Sequence, residues 1–188
     1  MKKRSLDSLY LLPLVHCIQT NKGYVYADHA RRLQLMIDIK TSAEPALNKL
    51  IVLINKYPEL LNNPSLKFFI TGNRPPSSAF ASYPSYIYFD GNPDSSYSSG
   101  ALKKIAMMSA PLTKYSKWDG KEGMAANEMQ IILALIKKTH DLKKPIRFWA
   151  APDNSTAWQL LIQLHAYFIN TDHIDELAQF LVASSRSN

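Results

Sequence analysis

The stretch "RRLQLMIDIK" (Arg31–Lys40) decides how this chain is read. Leu33, Leu35, Ile37 and Ile39 alternate with Gln34, Met36, Asp38 and Lys40, so a strand here carries an oily face and a mixed face ending in a carboxylate and an ammonium. In a doubly wound sheet, helices cover both faces and the strands are apolar on both sides. One oily face opposite a face that turns polar toward its C-terminal end suits a (β/α) barrel. There the outer face meets helices and the inner face builds a site at the mouth.

Five further runs have the same character: "LKFFITG" (66–72), "SYIYFDG" (85–91), "KIAMMSA" (104–110), "PIRFWAA" (145–151) and "AYFINTD" (166–172). Alternation places Tyr86, Tyr88 and Asp90 on one face, then Arg147 with Trp149 and Ala151, then Phe168 with Asn170 and Asp172. Helical stripes lie between several of them. Leu47, Leu50, Ile51 and Ile54 fall at i, i+3, i+4 and i+7, as do Met129, Ile132, Leu133 and Ile136, and Trp158, Leu161, Ile162 and His165. From 91 to 104, Gly91, Pro93, Gly100 and the serines between them predict a loop with at most a turn of helix. Strands alternating with helices give an α/β chain of parallel βαβ units. A complete barrel has eight strands over about 250 residues. The 188 residues here offer six, after an opening helix "SLDSLYLLPLVHCIQTNK". The expectation is a single partial domain over 1–188, an incomplete TIM-barrel-like fold of about six parallel strands with the first two missing.

Composition narrows the classes. A hydrophobic share of 46% with 20% charged residues is that of a chain that folds. The net charge of +7 invites an anionic partner, but beyond Lys2, Lys3 and Arg4 the cations are scattered. No basic stripe interleaved with aromatics appears, so nucleic acid is not expected. Cys17 is the single cysteine, which excludes an intrachain disulfide and reads as a small packing residue. The start "MKKRSLDSLYLLPLVHCIQ" has the outline of a signal peptide. Asp7 beside the apolar stretch, interruptions at Pro13 and His16, and the lack of a small-x-small site favour an amphipathic helix. No run reaches the roughly 20 apolar residues of a membrane span.

The strand ends supply the polar candidates: Asp38 with Lys40, Asn73 with Arg74, Asp90, Ser109, Trp149, and Asn170 with Asp172. Asp38 and Lys40, two apart on a strand, point the same way. The carboxylate can ligate a divalent cation and the ammonium can hold a phosphate oxygen, or the two can form an internal salt bridge. Arg74 can fork onto a phosphate, although "TGNRPP" is also an ordinary turn sequence. Asp90, before Gly91, reads equally as a turn-former, and Asp172 as the N-cap of the helix "HIDELAQFLV". His16, His140 and His165 fall on helix patterns, His29 in a loop and His173 in the first turn of the last helix. No histidine sits at a strand end to serve as a general base.

With those residues in place, "KKTHDLKKPIRFWAAPDNSTAWQLLIQLHAYFINTDHIDELAQFL" resembles the closing segment of the superfamily of glycerophosphodiester phosphodiesterases and phosphatidylinositol-specific phospholipase C-like proteins. In that superfamily, Trp-x-x-x-Asp or Asn precedes a helix and a last strand ending in Thr-Asp. The matching positions are Trp149, Asp153, Thr171 and Asp172. "LMIDIKT" is similar to its acidic-x-Lys strand, on Asp38 and Lys40, and "ITGNRPP" and "YIYFDGNP" are similar to strand ends of a bacterial branch of PLC-like phosphodiesterases. The resemblance covers nearly the whole chain, and the order of the motifs is more specific than any one of them.

The resemblance implies a phosphoric diester hydrolase homologue that acts on glycerophosphodiesters or phospholipid headgroups by metal-assisted acid/base chemistry. Asp38 corresponds to a ligand of Ca²⁺ or Mg²⁺ and Lys40 to a phosphate-neighbouring lysine. Trp149 corresponds to a wall of the substrate cleft, with Asn73, Arg74, Asp90, Asn170 and Asp172 as further substrate contacts. The family's first two strands, which carry its catalytic histidine pair and other metal-binding carboxylates, have no counterpart, so no catalytic residue is identified and impaired activity is expected. The alternative is a non-catalytic module that binds a phosphorylated ligand or a partner chain. An open sheet edge would favour self-association. Full-length members are often exported, and compartment is left open.

Overall fold

The computed structural model describes residues 4–185. Lys2 and Lys3, two of the three clustered cations, lie outside the described residues. The protein is an α/β chain with six strands, paired in parallel within each of its two compact units. One unit runs to Asp90 and takes in Tyr97–Ile105; the other comprises Gly91–Ser96 and the chain from Ala106 onward.

The first unit opens with a π-helical turn, Asp7–Leu11, leading into α1 (Leu12–Thr20). Pro13 comes just after the π-helical turn, inside a right-handed helical stretch that is continuous from Leu6. Leu11, Leu14 and Ile18 are buried while Pro13, His16 and Gln19 are exposed, which is the amphipathic pattern expected. The strands are β1 (Leu33–Ile39), β2 (Leu66–Gly72) and β3 (Ile87–Gly91), adjacent in chain order. In register, Asp38 lies opposite Thr71 and Ile39 opposite Gly72, while Ile70 lies opposite Phe89.

Only Lys40, Thr41 and Ser42 separate β1 from α2 (Ala43–Ile54), so the helix runs back along the sheet and lays Leu47, Leu50 and Ile54 on its oily face. Between β2 and β3 the chain makes a 3-10 segment, Ser77–Ser82, instead of an α-helix. It is pinned by Phe80, whose ring stacks on Phe89 at 4.0 Å. The serine-rich stretch after β3 forms a six-residue helix, α3 (Ser99–Lys104), which exceeds the single turn expected. Ser98 caps it by accepting the Ala101 N–H at 3.2 Å.

The second unit holds β4 (Ile105–Pro111) from its second residue on, β5 (Ile146–Trp149) and β6 (Phe168–Ile169), again adjacent in chain order, with Met108 opposite Ile146 and Arg147 opposite Phe168. Its helices are α4 (Ala126–Asp141), α5 (Ser155–Gln163) and α6 (Ile174–Ser185). Leu112, Ile132, Leu135, Ile136, Ile146, Phe148, Leu161 and Ala166 form its core. Burying a side chain such as Phe148 contributes about 1.5–3 kcal/mol.

Two helical stripes differ from expectation. On α4, Leu133 is exposed and the inward set is Ile132, Leu135, Ile136 and Thr139. The stripe keeps the spacing i, i+3, i+4, i+7 but starts three residues later than expected. On α5 the helix ends at Gln163. His165 adopts a positive φ of 58° beyond it and is exposed, so it is not part of the stripe.

Candidate functional site

In the first unit, the polar strand ends converge at the C-terminal edge of β1, β2 and β3, where parallel sheets present ligand-binding groups. Lys40 Nζ lies 2.6 Å from Asp38 Oδ2, and this salt bridge is exposed rather than internal. Beside it β2 turns at Gly72, with φ of +72°. A Cβ built on Gly72 would overlap Asp38 Oδ1 and stand 2.5 Å from Ile39 O, so the Asp38 carboxylate rests directly against the glycine. The turn is fastened to β1 by the Asn73 N–H, which donates to Ile39 O at 2.8 Å, and by the Asn73 side-chain amide, which donates to Thr41 O at 2.9 Å.

Arg74 then folds back. One of its guanidinium nitrogens donates to the Asp90 backbone carbonyl and lies 4.0 Å from Asp90 Oδ2. Asp90 is a buried residue of β3 itself, only 5% exposed, and accepts the Thr71 hydroxyl at 2.9 Å. The turn reading of "TGNRPP" holds, and the turn places Arg74 against Asp90 at the strand ends. Asp90 lies within β3, and its side chain faces Thr71 and Arg74. The arrangement gives Arg74 a fixed direction, with the rest of its planar fork on a side chain that is 27% exposed.

In the second unit, Trp149 ends β5 and is 44% exposed. The strand stops there because Ala150 takes a positive φ of 49°. Asp153 organises the segment beyond it, accepting the Trp158 indole N–H at 2.8 Å and the Asp172 backbone N–H at 2.7 Å. Burial alone would raise its carboxyl, but the bonds from the Asp172 N–H, the Thr171 hydroxyl and the Trp158 indole together hold it below the usual carboxylate range. Asp153 thus ties α5 to the segment after β6. Asn170 and the Asp172 side chain are exposed, and Thr171 Oγ1 accepts the His173 N–H at 2.9 Å ahead of α6. Ser109 is buried within β4.

The two histidines of the first unit, His16 and His29, do not end its strands, and the other three belong to the second unit. His29 stacks on Tyr24 at 3.9 Å in the loop before β1, and His16 is on the exposed face of α1. His140 is in the last turn of α4, and His173 Nδ1 sits 3.5 Å from Glu176. Among the described residues there is no group of three or more His, Cys, Asp or Glu side chains placed to hold a metal ion. Asp38 offers one carboxylate, paired to Lys40, toward the six or more oxygens that Ca²⁺ and Mg²⁺ take.

Two residues escaped sequence reasoning: Thr71 at the strand ends, and Asp94 in the second unit. Asp94 accepts from Lys114 Nζ and from the Tyr115 hydroxyl at 2.7 Å, while Lys138 donates to Pro93 O at 2.6 Å. The bonds from Lys114 and Tyr115 hold the Asp94 carboxyl below its ordinary range. That cluster anchors the loop after β3. Its partners are more than 15 residues apart in sequence, so no local pattern announces it. Among the described residues no helix is long and apolar enough to cross a membrane. No protein-family model matches the chain, and no curated protein matches it significantly.

Proposed function

We propose that this chain is a homologue of the PLC-like phosphodiesterases that binds a phosphoryl group at the C-terminal ends of β1, β2 and β3 without turning it over. On this reading its strands form an open portion of a (β/α) barrel. The sequential strand order within each unit supports that view, because a doubly wound sheet would reverse at a switch point.

The observation that carries the proposal is the assembly of Lys40, Asn73 and Arg74 at one strand-end edge, with Arg74 aimed by the buried Asp90. An ammonium and a planar guanidinium are the usual pair for a phosphoryl oxygen set. Neither histidine of the first unit, His16 on α1 or His29 before β1, is at these strand ends to move a proton, and the carboxylates are engaged by Lys40, Thr71 and Arg74.

Equilibrium binding of glycerophosphocholine, with parallel hydrolysis assays on bis-p-nitrophenyl phosphate in Ca²⁺ or Mg²⁺, tests both halves of the proposal. Saturable binding that is lost in Arg74→Gln, with no turnover, is the expected result. Turnover that disappears in Asp38→Ala would refute the non-catalytic half, and absence of any binding would refute the phosphoryl site.

A further inference from the structure

We infer that the depression between α2 and the Ser77–Ser82 segment of the first unit is a binding site for one neutral sugar ring, a hexopyranose without a phosphate. It is separate from the strand-end cluster and does not rest on the phosphoryl-binding reading.

The depression follows from how the chain crosses from β2 to β3. That crossover uses a six-residue 3-10 segment, about 12 Å long, whereas α2 beside it has twelve residues and runs about 18 Å. The shorter element leaves part of the flank of α2 uncovered. The gap has a volume of about 320 Å³, room for one ring at the lower end of the range for small-molecule sites. Glu44, Asn48 and Ile51 line it from α2 at i, i+4 and i+7, so they share that flank. Ser82, Tyr83 and Pro84 line it from the other side.

This second wall is held before any ligand arrives. Phe80 stacks on Phe89 at 4.0 Å, the Tyr83 ring meets Phe89 edge-on at 5.3 Å, and Lys104 Nζ donates to Pro84 O at 2.6 Å. A wall fixed in this way loses little freedom on binding.

The polar groups decide the class of ligand. The lining holds one acid and no base, which disfavours a phosphate or any other anion. Among the described residues the Glu44 carboxylate, the Asn48 amide and the Tyr83 hydroxyl make no hydrogen bond, and Ser82 Oγ, which donates to Ala79 O at 2.8 Å, keeps its lone pairs. Neighbouring ring hydroxyls, each a donor and an acceptor, can use all four groups, whereas an ammonium ion, a donor only, would leave the Asn48 NH₂ unused. Ile51, Pro84 and Tyr83 supply the apolar wall that the C–H face of a pyranose needs. Burial, then the charge of Glu44, raises the Tyr83 phenol above its ordinary value, so Glu44 and Tyr83 are close enough to share one ligand.

Saturation-transfer NMR of the purified chain with the methyl pyranosides of glucose, galactose and mannose, and separately with propylammonium and methyl phosphate, tests the inference. At least one pyranoside should bind saturably. Glu44→Ala should weaken it at least about tenfold and Tyr83→Phe about threefold, as the loss of charged and neutral hydrogen bonds does. Asn48→Trp, at an exposed helix position, fills the depression and should abolish binding while the far-ultraviolet dichroism stays that of wild type. Methyl phosphate should not displace the pyranoside. Binding of no pyranoside overturns the inference, as does binding of propylammonium in their place. Pyranoside binding unchanged in Glu44→Ala and Asn48→Trp puts the ring elsewhere and overturns the site. Displacement by methyl phosphate overturns its separation from the strand ends.

Discussion

Gly72→Ala probes the joint on which the strand-end cluster is built. Two terms oppose an alanine there. The backbone φ of +72° is left-handed, which costs an L-residue about 1–2 kcal/mol. The new methyl would also overlap Asp38 Oδ1 and stand 2.5 Å from Ile39 O, forcing the end of β1 to move at about 1–3 kcal/mol. Together they predict a loss of about 2–5 kcal/mol. Gly23 is the internal control, with φ of +95° and nothing within 4 Å of its built Cβ. Gly23→Ala should carry only the backbone term, and the entropy that alanine removes from the unfolded chain is common to both variants. Urea unfolding, read at unchanged m-value, should place Gly72→Ala about 1–3 kcal/mol below Gly23→Ala. Equal losses would show that Asp38 does not rest against Gly72, and the geometry assigned to the strand ends would fall with it.

The second unit offers two more tests. The Asp153 carboxyl is held below its ordinary range, so its stabilisation is present above the unfolded value near pH 4 and is lost as pH falls through the folded value. The wild-type advantage over Asp153→Asn, at most about 1.5–3 kcal/mol, should be visible in urea midpoints at neutral pH and shrink in acid. An advantage independent of pH would contradict the hydrogen-bonded carboxylate. Burial, then the bond to Asp94, raises the Tyr115 phenol above its ordinary value. Spectrophotometric titration should therefore show the same phenolate step near pH 10 in wild type and Tyr115→Phe, and a smaller step in the variant would refute that environment.

Period-two alternation found all six strands, because a half-buried strand leaves its apolar side chains in a pattern that needs no partner to be seen. What it missed depends on contacts or backbone angles that no local pattern encodes. β5 and β6 are shorter than their apolar runs because Ala150 turns to positive φ and the Asp172 N–H goes to Asp153 instead of a ladder. On α4, Met129, Ile132, Leu133 and Ile136 obey the same spacing as Ile132, Leu135, Ile136 and Thr139, and only the sheet beneath selects the second set. At the candidate site, the residue types were legible in Asp38, Lys40, Asn73 and Arg74. Their pairing was not: Arg74 meets Asp90 across 16 positions and Thr71 meets it across 19.

The central claim is that a phosphoryl group lies at the C-terminal ends of β1, β2 and β3. Amide NMR of the isotope-labelled chain, titrated with glycerophosphocholine, addresses it directly. The account predicts saturable shifts confined to residues around Asp38–Thr41, Thr71–Arg74 and Asp90, with the Arg74 side-chain Nε–H moving alongside and all of them lost in Arg74→Gln. Shifts centred elsewhere, or none at ligand concentrations that saturate ordinary small-molecule sites, would contradict it.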